Sequence, residues 1–119
     1  MSNNILFASN RFYGLVSSRL EIMNILNHDN HVIACGSSDK YVHTLKESGI
    51  DYRNININRG GFNFFQDLKA FYQVYKVIKE TKPDIIHCFN AKAIIYFGLV
   101  SRFLNASNRN YFYTITGLG

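Results

Sequence analysis

The sequence predicts an α/β domain built on a doubly wound parallel sheet of five strands in the order 3-2-1-4-5. Three observations carry this. Short runs that are apolar throughout recur along the 119 residues. Stretches with helical periodicity separate them, giving the order β-α-β-α-β-α-β-α-β. Strands connected by helices and apolar on both faces belong to a parallel sheet covered on both sides. Right-handed crossovers then leave few arrangements.

Ile5-Leu6-Phe7-Ala8 follows a polar start and reads as the first buried strand. A helix is expected over Leu15–His28, with Leu15, Ile22, Met23 and Leu26 clustered on one side at 100° per residue. His31–Cys35 is the second strand, closed by Gly36-Ser37-Ser38. A short helix over Asp39–Ser48 is expected to start at those serines and end at Gly49. Tyr52–Ile57 is the third strand. Its isoleucines alternate with asparagines, which marks a wetter face and a place at the sheet edge.

Asn63 and Gln66 resemble a capping box. The helix they open should run to about Thr81, with Phe64, Leu68, Phe71, Tyr75 and Ile78 as its core stripe. Lys69, Gln73, Lys76 and Glu80 form its solvated face, and Lys82-Pro83 stops it. Asp84–Phe89 is the fourth strand. Ala91–Leu104 is a helix apolar almost all round, and Tyr111–Thr116 is the fifth strand.

Composition bounds the rest. The chain is 47% hydrophobic and 18% charged, with one proline, so a packed single domain is expected and disorder is not. Its longest apolar run, Ala93–Val100, is far short of the roughly 20 residues that span a bilayer. No signal peptide opens the chain. Cys35 and Cys88 stand far apart outside any CxxC pattern, which suits reduced thiols in a cytosolic protein. The net charge of +5 favours anionic partners, although no basic run or stacking-aromatic signature indicates nucleic acid.

In a doubly wound sheet, ligands bind beyond the carboxyl ends of the strands at the switch point, here between strands 1 and 4. Asn10–Gly14, Asn90–Lys92 and Thr116–Gly119 converge there, with Gly36 and Arg59–Gly61 on the rim. Familiar chemistries fail the residue test. A phosphoryl-accepting receiver needs carboxylates where Ser9-Asn10 and Asn58-Arg59 stand. The first turn, Ser9 to Gly14, has one glycine and is no GxGxxG, and no P-loop exists. His28 and His31 read as a surface turn rather than a metal pair, and His87 as a buried, hydrogen-bonded core histidine. No catalytic set, metal site or cofactor is expected. Arg19 stands out because it projects at the centre of the apolar face of the first helix. It must either reach an anion or carry its charge to water along the sheet.

Four segments, in order along the chain, resemble the N-terminal domain of bacterial GT-B glycosyltransferases of family four. They are Ile5–Asn10 with Phe12-Tyr13 and Arg19-Leu20; Ile57–Gly61 leading to Asp67-Leu68; Lys82–His87; and Thr114–Gly119. Similarity is greatest to the branch that builds capsule, O-antigen and lipid-linked glycans. The resemblance implies half of a two-domain, retaining enzyme whose other domain binds the nucleotide-sugar donor. It further implies an acceptor on a polyprenyl diphosphate, peripheral membrane contact at the inner face, and no activity for this stretch alone. Asn10, Arg11, Gly14, Arg19, Arg59, Gly60, Asn90, Lys92, Thr116 and Gly117 would then line the acceptor side, with Arg19, Arg59 and Lys92 meeting phosphates. Several family members carry a histidine where Thr116 stands, so the resemblance supplies no catalytic base here. The alternative is a free-standing subunit that recruits acceptor or membrane for a separate catalytic chain.

Overall fold

The computed structural model describes residues 3–57 and 63–104, and the backbone of 110–113. Its elements alternate as β1 (Asn4–Arg11), α1 (Phe12–Leu26), β2 (His31–Ser37), α2 (Val42–Glu47), β3 (Asp51–Asn54), α3 (Phe64–Thr81), β4 (Ile85–Cys88), α4 (Ala91–Phe103) and β5 (Asn110–Tyr113). The strands β3-β2-β1-β4 are parallel neighbours in that order, and the β5 backbone lies beside β4. The switch point therefore falls between β1 and β4, where Ile5 to Ala8 register against Ile85 to Cys88.

Each sheet face carries one core. Leu6, Ala8, Ile33, Cys35, Ile86 and Cys88 meet α3 and α4 on one side. Ile5, Phe7, Val32, Ala34 and Phe89 meet α1 and α2 on the other. This is the period-two alternation of a strand buried on both faces. Cys35 and Cys88 flank Ala8 from opposite strands, so a whole strand separates them and both are free thiols. Burial pushes the Cys35 thiol well above its ordinary range, which keeps it protonated.

Several local expectations are corrected. α1 begins at Phe12, three residues early and directly off β1, because the Asp39 carboxylate accepts from the Tyr13 backbone N–H at 2.9 Å and holds the helix start. Met23 and Leu15 are buried, but Ile22 is 50% exposed on the flank of that face. α2 begins only at Val42. Asp39 caps the turn before it through the Tyr41 N–H, while Ser37 Oγ turns instead to Ile55 and Ile57 of the neighbouring segment. β3 is short, yet Ile55 and Ile57 are buried while Asn54 and Asn56 are exposed, so the alternation continues past the strand.

The largest correction concerns α3. Asn63 Oδ1 accepts from the Gln66 N–H at 3.2 Å as expected, but Asp67 rather than Gln66 returns the bond, to the Asn63 N–H at 3.1 Å. The face on the sheet is Ala70, Val74, Val77, Ile78 and Thr81, whose compact side chains admit close approach. Phe64 and Leu68 of the expected core stripe are exposed, and Phe71 and Tyr75 are only partly covered. α4 likewise buries Ala93, Tyr96, Phe97 and Val100 and leaves Ile95, Leu99 and Phe103 exposed. Gly49 closes α2 at φ +71°, and Lys82 closes α3 at φ 45° ahead of Pro83.

Candidate functional site

The carboxyl ends of β1 and β4 are tied together through one side chain. Asn90, at the start of α4, accepts with Oδ1 from the Ser9 hydroxyl and, at 2.8 Å, from the Asn10 N–H. Ser9 is buried and closely surrounded. A Cβ on Gly14 would stand 2.6 Å from Ser9 Oγ, and one on Gly36 would stand 2.8 Å from the Ser9 carbonyl oxygen. Glycine at both positions lets α1 and β2 close on the end of β1. This is a packing reason for glycine, distinct from a phosphate-cradling loop.

Beside this knot opens a cleft of about 320 Å³ lined by Ser9, Gly14, Ser17, Ser18, Arg19, Phe89 and Asn90. Arg19 reaches it from the second turn of α1. Its guanidinium lies over the Phe89 ring, 4.7 Å from the centroid. Phe89 stacks on His87 at 4.3 Å and on Phe7 at 5.9 Å, so the arginine sits on a column of rings rising from the sheet. Such a stack holds a planar cation in one orientation. Arg19 is half-buried, and among the described residues no carboxylate pairs with it. The sequence posed anion contact against an escape to water. The structure brings the guanidinium to the cleft wall, where an anion could reach it.

His87 departs from expectation. It is half-buried in the ring column rather than enclosed in the core, and burial, with the Arg19 charge second, holds its pKa below the ordinary 6.5. The imidazole is thus favoured neutral, as a flat surface in the stack. Lys92 also departs. Its side chain is 13% exposed, with Nζ 3.9 Å from the Asp67 carboxylate, which is 14% exposed. The same carboxylate accepts from the Tyr96 hydroxyl, and burial followed by that bond raises the Tyr96 pKa. Lys92 therefore joins α4 to α3 instead of facing the cleft as a phosphate ligand.

A second recess adjoins the first. Arg11, Tyr13, Asp39, Lys40 and Tyr41 line about 480 Å³, with the Tyr13 and Tyr41 rings 5.4 Å apart. Asn10 and Arg11 connect the two openings, and Asn10 Oδ1 is a buried acceptor with no hydrogen-bond partner among the described residues. The structure thus brings Asn10, Arg11, Gly14, Arg19 and Asn90 together. Arg59, Gly60, Thr116 and Gly117 lie outside the described residues. Sequence reasoning missed Phe89, Ser9 and Asp39 as site-building residues. Only Asp39, three residues past Gly36 in a loop at the carboxyl edge, carried a recognisable turn signal.

Residues 4–119 match the family model of glycosyl transferase 4-like proteins, and the chain belongs to that family. Solved structures share its fold. MurG of Acinetobacter baumannii is 19% identical with a TM-score of 0.70, the match covering 93% of this chain and 34% of that one. A glycosyltransferase of Rickettsia africae is 19% identical with a TM-score of 0.74, covering 99% and 31%. A UDP-N-acetylglucosamine 2-epimerase is 12% identical with a TM-score of 0.65, covering 99% and 34%. The chain spans about a third of the length of each. The fold is that of an N-terminal GT-B domain, and its sharing with an epimerase shows that fold alone does not name the reaction. No curated protein sequence matches the chain.

Proposed function

We propose that this chain is the acceptor-binding half of a retaining glycosyltransferase that moves a sugar from a nucleotide-sugar to a polyprenyl-diphosphate-linked acceptor in surface glycan synthesis. A second domain, outside the sequence, supplies the donor site, so these residues alone do not catalyse transfer. In this reading the protein works at the inner face of the cell membrane, and the five-stranded sheet is the N-terminal half of a GT-B fold.

One observation carries the acceptor assignment. Arg19 presents a ring-stacked guanidinium, with no carboxylate partner among the described residues, to a cleft at the switch point. A planar cation suits a diphosphate bidentately. Ser17 offers a hydroxyl beside it, while Asn10 and Asn90 stand where the first sugar of the acceptor would follow. Arg59, Gly60, Thr116 and Gly117 complete the acceptor side in the same proposal, on the family resemblance alone.

The test uses the protein with its donor-binding half present. Arg19→Ala should reduce transfer to a lipid-diphosphate acceptor by about 100-fold, a plausible effect for a lost charge-assisted contact. Hydrolysis of the nucleotide-sugar should stay nearly constant. Equal loss of both reactions would overturn the acceptor assignment.

A further inference from the structure

The groove at the switch point does not end at the Arg19 cleft. Ser9, Gly14 and Asn90 line both that cleft and a neighbouring opening of about 280 Å³. Arg11 and Tyr13 line both this opening and the recess beyond it. Together they make one path from the end of β4, past the end of β1, to the loop that follows β2. The recess at the far end holds about 480 Å³, within the roughly 300–1,000 Å³ usual for small-molecule sites.

The walls of this recess are fixed by one side chain. Asp39, in the loop between β2 and α2, accepts from the Tyr13 N–H with Oδ2 and from the Tyr41 N–H with Oδ1, each at 2.9 Å. The two rings stand 5.4 Å apart and are tilted by 46°. Parallel rings would form a slot for a flat base. Tilted rings form an angled wall that suits a puckered, chair-shaped ring. Tyr13 is 52% exposed, so its face is open to such a ring. An aromatic face is negative, and the axial C–H bonds of a pyranose carry partial positive charge, so the two stack. Each Asp39 oxygen keeps lone pairs beyond the one its N–H uses, and the tyrosine hydroxyls both donate and accept. The hydroxyls of a sugar therefore find partners around the wall.

Charge narrows the kind of sugar. Two exposed cations, Arg11 and Lys40, line the recess against the single carboxylate of Asp39. Among the described residues no carboxylate forms an ion pair with either cation. Lys40 Nζ stands over the Tyr41 ring, 5.5 Å from its centroid, which holds the ammonium at the wall. A carboxylate carried by the sugar would meet both cations in charge-assisted hydrogen bonds. A neutral sugar would leave the excess positive charge unmatched.

We infer that the Tyr13–Tyr41 recess is a subsite for an acidic sugar of the uronic-acid class, with its ring stacked on Tyr13 and its carboxylate on Arg11 and Lys40. The inference deepens the proposed function, and rests on it in placing this sugar farther along the acceptor glycan than the diphosphate at Arg19. Tyr13, Arg11 and Lys40 are then the residues that select which acceptor glycan is extended.

Saturation-transfer NMR of the full-length protein with methyl glucuronide tests it. This probe carries neither diphosphate nor lipid, so its failure to bind strikes the subsite alone, whereas the acceptor reading stands or falls with Arg19→Ala. The uronide should bind at least about tenfold more tightly than methyl glucoside, and sodium acetate at equal concentration should not displace it. Tyr13→Ala should lower uronide affinity about tenfold, and Tyr13→Phe, which keeps the ring, should largely preserve it. Arg11→Gln with Lys40→Gln should bring the uronide down to the affinity of the glucoside, with circular dichroism unchanged in each variant. Absence of uronide binding to the wild type would overturn the inference, as would equal affinity for the glucoside or displacement by acetate. So would uronide binding that the Tyr13→Ala variant and the double glutamine variant both retain in full.

Discussion

The two helical layers treat their side chains in opposite ways. In the α1 layer a cation, Arg19, is turned toward the sheet and laid on an aromatic ring at the cleft. In the α3–α4 layer aromatic rings face outward, and small aliphatic side chains meet the sheet. Neither layer follows the simple rule that apolar residues point in and charged ones out. The contrast is informative because the α3–α4 layer still forms a complete core with Tyr96 and Phe97 fully buried. Its outward rings lie outside that core, while the inward arginine lines the cleft at the switch point.

The sharpest way to break the comparison is the buried link within the α3–α4 layer. Asp67→Ala removes the carboxylate shared by Tyr96 and Lys92 in a poorly exposed place. It should lower unfolding free energy by about 3 kcal/mol in denaturant titration. A loss below about 1 kcal/mol would mean that the link is a surface pair of little consequence.

Gly36→Ala probes the cleft side. Its Cβ would meet the Ser9 carbonyl oxygen, a backbone atom that cannot rotate away. Destabilisation of about 1–3 kcal/mol is expected, measured as a shift in denaturation midpoint. Gly49→Ala, at a position with open space around it, should cost less through steric contact and show only the strain of its positive φ.

The smallest effect concerns His87. Burial and Arg19 hold its pKa below 6.5 in the folded state, so the unfolded chain binds the proton more readily. This contribution to stability is therefore fully present above the unfolded pKa and declines as pH falls through it. Stability of the wild type should drop between about pH 7 and pH 5.5 more steeply than that of His87→Phe, followed by thermal melts across that range. Parallel profiles would contradict the assignment.

Much of the architecture was legible in the sequence. Apolar runs, Gly49, Lys82-Pro83 and the Asn63 cap marked elements that the structure contains, and the strand order β3-β2-β1-β4 followed from connection rules. Which face of α3 docks was not legible. Its aromatic stripe and its Ala70-Val74-Val77-Ile78 stripe are both apolar, and only the space above the sheet selects the slimmer one. The start of α1 was missed because a carboxylate 26 residues away, Asp39, satisfies Tyr13. The site was half legible. The helical wheel singled out Arg19, but Phe89 beneath it appeared only as the last residue of a strand. Lys92 looked like a phosphate ligand by position until Asp67 was seen beside it.

Binding of a water-soluble, short-chain prenyl diphosphate tests the central claim most directly. Titrated against the protein by calorimetry, it should bind more tightly than the corresponding uncharged prenyl alcohol, and Arg19→Ala should weaken it about tenfold or more while leaving the alcohol unaffected. Equal binding of the diphosphate to wild type and variant would contradict the account.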